Sequence, residues 1–422
     1  MATSLETQCC VVGGGPAGTM LALLLARQGL DVVVLEKHPD FLRDYRGDNI
    51  HPSTMEVLQQ VGLIEAFLGL GPDRAEVLVA RTAQGSLTLA DFRLFRSPYQ
   101  FMATLPQWEY LAFITREAAR FPGFHLMMNA RAIGLLDHNC SVAGVRYASP
   151  AGEGQIRALV TVAADGRTST LRALAGLTVV KTFPSIDMLM FRLPRTANAP
   201  DVTGMSVGEG HVVISISRGD YYQMAYTIEK GGDGDFRSGS IDRLRNSVQR
   251  LAPQVAAELR ALQSWDQVST LSIQADRLRR WYRPGLLCIG DAAHAMSPVG
   301  GVGINLAIQD AVVAANVLVG PLRRGQVSTR HLAAVQRKRA WQVRIMQIIQ
   351  ERSTRGALLA SEENPTGIAG LVRRLGRRII VLKPVVAIGS RVVGVGIRRV
   401  HVSREVAALP VAGARSARGT VG

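Results

Sequence analysis

The chain has 422 residues, of which 47% are hydrophobic. This content excludes disorder over most of the length and suffices for one large core or two lobes. The formal net charge is +16, and the imbalance lies in residues 320–422, which hold 20 Lys and Arg against 4 Asp and Glu, whereas residues 1–319 hold 29 of each. Because that basic stretch has a single aromatic residue, Trp341, and no known reading motif, nucleic acid is not an expected partner.

A glycine-rich turn between a strand and a helix opens the chain. The apolar run Cys9–Val12 predicts a buried parallel strand, and Thr19–Gln28 is the predicted helix after the turn. Glycines here permit a tight turn, close approach of backbone to a pyrophosphate, and packing of helix on strand, while the helix N-terminus attracts phosphate. The alternative is a glycine-rich turn without a ligand. The cofactor-binding residues expected from the turn are Gly13, Gly15, Pro16, Ala17 and Gly18.

An acidic residue ends the second predicted strand, Asp31–Leu35. The carboxylate of Glu36 in this position can accept hydrogen bonds from both hydroxyls of a ribose. The same charge disfavours a 2′-phosphate, so the sequence predicts FAD or NAD rather than NADP. Lys37 follows directly and is included in the expected binding set.

Two polar residues in the next region have both a functional and an ordinary interpretation. Arg46 lies in a loop near the nucleotide fold, where it is either a phosphate ligand or a solvated loop residue. The loop leads to a predicted helix over Met55–Val61, capped by Ser53 or Thr54. Gln107 lies at the start of another predicted helix, 108–120, where a glutamine is ordinarily a surface residue.

Two aspartates follow predicted strands much further along the chain. Asp165 comes after the strand-like run Arg157–Ala164, and Gly290 and Asp291 come after the apolar strand Gly285–Ile289. Side chains at the carboxyl ends of parallel strands meet at the ligand-binding edge of an open α/β sheet. Carboxylates there can hold the hydroxyls of a ribityl chain, which favours FAD over NAD. The alternative is that each aspartate only caps a helix.

The middle of the chain changes to extended runs, which predict strands over Met188–Leu193, His211–Ile216 and Tyr221–Ile228. Period-two alternation places Tyr222, Met224 and Tyr226 on one face. Because methionines adapt to irregular apolar shapes, we expect Tyr222, Met224 and Met190 to contact a bulky hydrophobic substrate. The alternative is that these side chains only pack against a neighbouring helix. A helix is predicted over Ile241–Leu262.

The basic carboxyl quarter predicts a long amphipathic helix over residues 320–355 that packs on the nucleotide domain. The apolar run Ile379–Ile388 is interrupted by Lys383 and Pro384, so it is a poor transmembrane span. Two alternatives stay open for residues 370–400: an interfacial helix on an anionic membrane, or a helix packed across the nucleotide domain. After Arg404 we expect a flexible tail.

The four cysteines, Cys9, Cys10, Cys140 and Cys288, lack metal-ligand spacing, so no metal site is expected. Three of them lie in predicted buried strands, which favours packing in a reducing compartment. The polar start runs at once into a strand, which argues against a signal peptide. We therefore expect a cytoplasmic protein, with the inner face of the membrane as the alternative site for its basic region.

Taken together, these motifs resemble the single-component FAD-dependent aromatic hydroxylases, the class A monooxygenases typified by p-hydroxybenzoate hydroxylase and its ubiquinone-biosynthesis and polyketide-tailoring relatives. The resemblance covers about residues 5–350, with gaps in the middle. The three glycines of the first turn match the family's first fingerprint. The middle fingerprint is met by Asp165, Gly166, Ser169 and Arg172, with Ala163 departing from the usual glycine. The third is matched in full by Gly285, Gly290, Asp291, Ala292, His294 and Pro298.

The resemblance implies roles for further residues. Glu36 would hold the adenosine ribose, Asp291 the ribityl chain, and Arg46 and Gln107 the phosphate and ribityl regions. Asp310 and the loop after Pro298 also look like the family, although Val302 stands where many relatives have glutamine. Backbone facing the pyrimidine edge of the flavin ring would come from Gly301, Val302, Gly303, Ile304 and Asn305.

The expected fold class is α/β, with a Rossmann-like FAD-binding domain of the GR2 type, an inserted mixed β-sheet substrate domain and a helical C-terminal region. The boundaries expected are 1–180 and 276–355 for the FAD-binding domain, 181–275 for the mainly substrate-binding sheet, and 356–422 for a basic, partly flexible extension.

The resemblance implies a monooxygenase that uses NADPH or NADH, FAD and O2 to hydroxylate or epoxidise a hydrophobic aromatic, polyketide or isoprenoid molecule through a flavin C4a-hydroperoxide. No second glycine-rich loop is visible, so the reductant is expected to bind transiently. No catalytic base can be named. The alternatives are a flavin-dependent reductase or oxidase of a related lipophilic substrate, and a membrane-associated flavoprotein without turnover.

Overall fold

The computed structural model describes residues 3–42, 48–82, 85–182, 186–196, 199–358 and 379–409. Counts and contacts below refer to these residues. The predicted Arg46 and the part of the expected tail beyond residue 409 lie outside them. The helices described are α1 (Pro16–Ala26), α2 (Pro52–Gln60), α3 (Ile64–Leu68), α4 (Gln107–Ala118), α5 (Thr170–Leu174), α6 (Asp233–Arg237), α7 (Asp242–Leu251), α8 (Gly303–Arg323), α9 (Thr329–Leu358), α10 (Ile379–Val395) and α11 (Arg404–Ala407).

The first large sheet has eight strands among the described residues, and its central strands are parallel and buried. The first strand pairs in parallel with the second on one side and with the eleventh on the other. The run of Cys9, Cys10 and Val11 is fully buried between them, as expected for a strand covered on both faces. The strands are β1 (Thr3–Val12), β2 (Val32–Leu35), β8 (Phe124–Met127), β9 (Arg131–His138), β10 (Ser141–Ser149), β11 (Gly152–Ala163), β19 (Tyr282–Arg283) and β20 (Leu286–Cys288).

The second large sheet has seven described strands and carries the predicted strands of the middle region. It also takes in a hairpin from residues 77–91, far outside the predicted boundaries 181–275, because one strand of that hairpin pairs in parallel with Met205 and Ser206. The strands are β5 (Val77–Thr82), β6 (Gly85–Asp91), β13 (Ile186–Pro194), β14 (Gly204–Gly208), β15 (His211–Ser217), β16 (Tyr221–Glu229) and β17 (Ser269–Leu271).

Two small three-stranded sheets, again counted over the described residues, connect the large ones. Together with the parallel core and its covering helices they make the expected α/β fold. Their strands are β3 (Asn49–Ile50), β4 (Asp73–Ala75) and β7 (Met102–Thr104) in one, and β12 (Val179–Thr182), β18 (Ala275–Leu278) and β21 (His294–Ala295) in the other.

Several predicted helix boundaries were wrong, each for a local reason. The helix expected over Ile241–Leu262 ends at Leu251, because Pro253 cannot continue it. The helix expected over 320–355 is the end of α8 and most of α9, separated at Gly325, which has a φ of +68°. Helix α2 begins at Pro52, and no side chain caps it, so neither Ser53 nor Thr54 is its cap.

Helix α8 is the core helix of the larger lobe, which is the part of the protein built on the eight-stranded sheet. It is the one described helix that is long and apolar enough to cross a membrane, and 78% of its most apolar 18-residue stretch is buried inside the protein. It packs against α1 on one side and α9 on another. The residues Ile308, Ala311, Val312 and Leu318 are fully buried in the main hydrophobic core, so this apolar surface is already covered by protein.

The described part of the carboxyl region packs on the rest of the protein, with α10 lying against β6, the turn after it and α2. At the end of α10, Gly394 fits against the ring of Phe95, and Val395 is fully buried in the same small cluster. This supports the packing alternative for residues 386–400. At the start of α10, the exposed Ile388 and Pro384 are not covered.

Residues 396–408, here called the C-terminal strap, run back over three helices of the larger lobe. Gln60 on α2 accepts a hydrogen bond from the Val402 N–H at 2.7 Å, and Asn316 on α8 accepts one from the Ser403 N–H at 2.8 Å. The amide of Gln28, just after α1, donates to the carbonyl of Val406 at 2.9 Å. Residues 404–409 are therefore ordered and docked, and the expectation of a flexible tail from Arg404 onward was wrong for them.

Candidate functional site

The glycine turn after β1 is closed towards the protein and open on its other side. Gly13 has a φ of +111°, and a Cβ there would lie 2.2 Å from the Ala164 carbonyl oxygen, while one on Gly18 would lie 2.0 Å from the Gly13 carbonyl oxygen. A Cβ on Gly15 would meet nothing within 4 Å. The turn thus offers open space at Gly15, beside the N-terminus of α1, which begins at Pro16. This is the shape a diphosphate needs.

Glu36 lies at the end of β2, directly beside this turn, and is 8% exposed. Its carboxylate accepts hydrogen bonds from the N–H groups of Gly14 at 2.9 Å and His38 at 3.0 Å. These bonds fix the carboxylate against the turn. Since each carboxylate oxygen has two lone pairs, capacity is left for ribose hydroxyls. Lys37 is exposed.

The second segment, after β11, touches the first. Ala164 donates its N–H to the carbonyl of Val12 at 2.7 Å, which joins the carboxyl ends of the two strands. The carboxylate of Asp165 accepts bonds from the hydroxyl of Ser169 and from the N–H of Leu171, at the start of α5. Burial raises the pKa of this carboxyl. The helix-capping alternative therefore accounts for the observed contacts of Asp165.

The third segment, the turn after β20, lies against the glycine turn that follows β1. Gly290 has a φ of +58°, and a Cβ there would lie 3.0 Å from the Cβ of Ala17 in the first turn. Asp291 follows with a side chain that is 31% exposed, and its carboxylate accepts a hydrogen bond from Arg167 Nε at 3.1 Å. Three segments remote in the chain therefore meet at one edge of the sheet, as the sequence predicted.

The loop from Pro298 to Asn305 is held by side-chain and backbone bonds. Asn305 is 3% exposed; its oxygen accepts from the His51 N–H at 2.9 Å and the Thr54 hydroxyl at 2.8 Å, and its amide donates to the Asn49 carbonyl at 2.9 Å. Its side chain is thus used within the protein. Val302 and Ile304 are buried in the core, whereas Pro298, Gly301 and Gly303 are half-buried. The side chains of Val302, Ile304 and Asn305 therefore face the protein, and the half-buried backbone at Gly301 and Gly303 is available to a ligand.

A buried ion pair near this loop joins the seven-stranded sheet to the residue before β3. Arg218, between β15 and β16, pairs with Asp48, and both side chains are largely buried. The same carboxylate accepts the N–H of Gln107 at 3.3 Å, at the start of α4. Burial raises the pKa of Asp48 to about 6 in spite of the opposing effect of Arg218. Sequence reasoning missed this pair, because nothing in the local patterns links residues so far apart.

A second missed group is the set of buried polar residues behind Gly290. His294, Asp310 and Arg339 are each no more than 1% exposed and are bonded to one another through Asp310. His294 and Asp310 both match the family pattern in the sequence, but that pattern does not show that they bond to each other. Arg339 is a charged residue within the amphipathic helix predicted over 320–355, and nothing in the sequence indicates its partner.

The substrate-facing prediction for the seven-stranded sheet was wrong for two of its three residues. Tyr222 and Met224 are fully buried on the face that packs against α6, α7 and the turns after them. The Tyr222 hydroxyl donates to the Pro200 carbonyl at 2.8 Å. Alternation correctly put Tyr222, Met224 and Tyr226 together, but the helices 233–251 cover that face.

The opposite face of the same sheet turns towards the larger lobe. Strand β15 contacts α9, and Arg218 reaches Asp48 from the end of that strand. Met190 lies on this face in a separate small cluster. Met188, Ala225 and Ile273 are buried beside it. Further along this face the side chains are half-buried: Met205, Ile214, Ile216, Tyr221 and Gln223. A half-buried, mainly apolar face opposite the cofactor edge is the candidate substrate surface.

A parallel sheet whose carboxyl edge gathers a glycine turn, a buried glutamate and a second acidic turn defines a nucleotide-binding α/β protein. The chain belongs to the family described as FAD binding domain, which matches residues 6–348. It is 34% identical over 355 residues to 6-methylpretetramide 4-monooxygenase from Streptomyces rimosus, covering 82% of this chain and 84% of that protein. It is also 25% identical over 335 residues to digeranylgeranylglycerophospholipid reductase from Methanocella arvoryzae, covering 78% and 81%.

Among solved structures, p-nitrophenol 4-monooxygenase PnpA from Pseudomonas putida DLL-E4 superposes with a TM-score of 0.72 at 21% identity, covering 93% of this chain and 99% of that one. The family predicted from the three motifs is confirmed, and the chain is a class A FAD-dependent monooxygenase. The residues of this site fit FAD: open space lies at Gly15, the carboxylate of Glu36 lies beside the turn, and the partly exposed carboxylate of Asp291 follows Gly290, which lies against Ala17.

Proposed function

We propose that the chain oxygenates a flat, hydrophobic aromatic or polyketide molecule, using NADPH or NADH as a transient reductant. The observation that carries this proposal is the apolar face of the seven-stranded sheet on which Met205, Ile214 and Ile216 are half-buried beside the buried Met190. The relative from Streptomyces rimosus is named as a monooxygenase of 6-methylpretetramide, which supports this proposal. Bound FAD, once reduced, supplies the activation of O2.

In this proposal each segment has one binding task. The N–H groups of the glycine turn and the start of α1 hold the diphosphate, Glu36 holds the adenosine ribose, and Asp291 holds the ribityl hydroxyls. Backbone from Gly301 to Asn305 lies along the ring. Asp165 and Gln107 support the site from the bonds they make to α5 and Asp48.

The protein's contribution to the reaction is exclusion of water and placement of the substrate. The apolar side chains of Ile214 and Ile216 line this part of the sheet, and an aromatic substrate can displace water from them. The exposed Arg192 lies on the same face, opposite Gln223 on the neighbouring strand. Positioning the reacting carbon close to the bound cofactor supplies the entropic part of the rate enhancement. The polar Gln223 on the same face is the group we assign to orienting a substrate hydroxyl or carbonyl.

The test is a screen for compounds that accelerate NAD(P)H consumption by the purified protein, followed by mass spectrometry of the product under ¹⁸O₂. We expect a product that gains one labelled oxygen atom. A product that gains hydrogen and no label would instead favour the reductase alternative, which the relative from Methanocella arvoryzae supports by its name.

We propose a cytoplasmic location, supported by four cysteines that are all free, three of them buried. We also propose that any peripheral membrane contact uses the outer face of α9. Four large apolar side chains on it are 39–41% exposed: Trp341, Ile345, Ile348 and Ile349. They lie among exposed cations: Arg337, Lys338, Arg344 and Arg352. Such a stripe suits an anionic lipid surface.

Flotation with phosphatidylglycerol vesicles tests this contact. We expect the wild type to float at low salt and the variant Trp341→Ser with Ile345→Ser to stay in the aqueous fraction. Leu174→Ser, which changes a 48% exposed leucine elsewhere, is the matched control and should float like the wild type. Absence of wild-type flotation at any salt concentration would remove the membrane from the proposal.

A further inference from the structure

A cluster of charged and polar side chains lies behind the acidic turn, on the side away from the open edge. Arg339 and Asp310 are 0% exposed, and His294 is 1% exposed. The guanidinium Nε of Arg339 lies 2.7 Å from Asp310 Oδ1, and His294 Nε2 lies 2.6 Å from Asp310 Oδ2. Burial of a charged group costs free energy unless an opposite charge pairs with it. The guanidinium of Arg339 and the carboxylate of Asp310 therefore depend on each other.

The cluster joins three elements that are remote in sequence. Asp310 is on α8, His294 is in β21, and Arg339 is on α9. The same guanidinium donates to the side-chain oxygen of Gln342 at 3.0 Å and to the carbonyl of Leu306 at 3.4 Å. Arg339 is therefore fixed on several sides, and it fixes Asp310 in turn.

Asp310 acts directly on the turn that carries Asp291. Its Oδ2 accepts the N–H of Gly290 at 3.0 Å. Gly290 has a φ of +58° and lies between Ala17 of the first turn and Ala307 of α8, with no room for a larger side chain. The residue after it is Asp291, whose carboxylate reaches the open edge.

We infer that Arg339, acting through Asp310, is a positioning residue for FAD. Arg339 holds the carboxylate of Asp310 in the place where it accepts the N–H of Gly290. This bond fixes the turn in the conformation that directs Asp291 towards the ribityl chain. A hydrogen bond to a charged acceptor is stronger than one between neutral groups, which is why an ion pair rather than an amide occupies this place. The inference rests on FAD binding by this chain and not on the oxygenation reaction.

The experiment compares FAD binding by the purified apoprotein of three forms. Arg339→Met removes the charge at nearly constant size, and we expect the Kd for FAD to rise by about tenfold or more, the size of one hydrogen bond to a charged group. Arg339→Lys keeps the charge and should restore most of the affinity. Circular dichroism of the bound flavin in the visible range should change in Arg339→Met and return towards the wild-type spectrum in Arg339→Lys.

The control is an ion pair of the other sheet, in which Asp187 is buried and Lys230 is partly exposed. Asp187 pairs with Lys230 at 2.6 Å and accepts the N–H of Ile273 at 2.8 Å, so Asp187→Asn removes a comparable charge far from the turn. We expect it to lower the melting temperature and leave the Kd for FAD unchanged. If Arg339→Met does not fold, the double variant Asp310→Asn with Arg339→Met removes both charges together and should still show the raised Kd.

Wild-type FAD affinity and an unchanged flavin spectrum in the folded Arg339→Met protein, or in the double variant, would overturn the inference. So would a raised Kd that Arg339→Lys and Asp187→Asn share, because that pattern reports general loss of stability. These readouts need no turnover. A failure to find a labelled oxygen in any product would overturn the proposed reaction and leave this inference standing.

Discussion

The cofactor edge and the substrate-facing sheet differ in what fixes their residues. At the edge, backbone geometry decides: Gly13 and Gly18 have no room for a Cβ, and Gly290 needs a positive φ. On the seven-stranded sheet, only alternation and the position of the covering helices decide, and Tyr222 and Gln223 differ in role because they point to opposite faces. A position that sterically requires glycine can be recognised in the sequence. The sequence does not show which of the two faces of a sheet is covered by helices.

The largest effect on stability and FAD binding is expected for a glycine of the cofactor edge. Gly13→Ala places a Cβ 2.2 Å from a backbone carbonyl oxygen at a φ of +111°, so we expect a loss of about 3 kcal/mol in the free energy of unfolding and no FAD retention. Gly15→Ala, with open space around it, is the matched variant. It should keep the apoprotein melting temperature and lose FAD affinity only. Equal melting curves for the two variants would contradict the geometry described for this turn.

A large effect confined to the cofactor is expected for Asp291→Ala. The carboxylate is 31% exposed and paired with Arg167 at the open edge, so its removal should cost little stability. We expect the Kd for FAD to rise by about tenfold to a hundredfold, as for loss of hydrogen bonds to a charged group. Flavin fluorescence titration of the apoprotein measures this. Full yellow colour after extensive dialysis of the variant would show that Asp291 does not hold the cofactor.

A smaller effect separates the two faces of the sheet. Tyr222→Phe removes the bond to the Pro200 carbonyl and should lower the free energy of unfolding by about 1 kcal/mol without changing the KM for substrate. Gln223→Ala, one residue later on the opposite face, should raise KM and leave the melting temperature nearly unchanged. Thermal denaturation and steady-state kinetics with an identified substrate measure the pair. The reverse pattern would mean that the covered face is the one that binds substrate.

The smallest effect concerns pH at the link between the two lobes. Burial raises the pKa of Asp48 to about 6 in the folded protein, above its ordinary value near 4. The folded state therefore binds more protons in that interval, and the contribution of Asp48 to the free energy of unfolding falls as the pH rises from about 4 to about 6. Plots of melting temperature against pH should have different slopes for the wild type and Asp48→Asn across this range. Parallel plots would contradict a raised pKa of Asp48 in the folded protein.

Much of the parallel core could be predicted from the sequence, because apolar runs such as Cys9–Val12 and Gly285–Ile289 require burial on both faces. The three cofactor segments were predictable for the same physical reason that makes them rigid, since a turn that approaches a phosphate must lack side chains. The helix ends were less predictable. Pro253 and Gly325 do interrupt the predicted helices, but the apolar periodicity continues on both sides of each break.

The supporting contacts of the site could not be predicted. Arg218 meets Asp48 across 170 residues and Arg339 meets Asp310 across 29, and no local pattern specifies such partners. Asp165 shows the limit in another way: a carboxylate at a strand end serves a ligand or a helix start equally well, and the observed bonds go to Ser169 and Leu171.

The C-terminal strap has a consequence for how the protein is made. The first strand of the nucleotide domain leaves the ribosome at the beginning of translation, yet α1, α2 and α8 receive their last hydrogen-bond partners from residues 396–408. The lobe that receives FAD is thus complete only when nearly the whole chain has been synthesised.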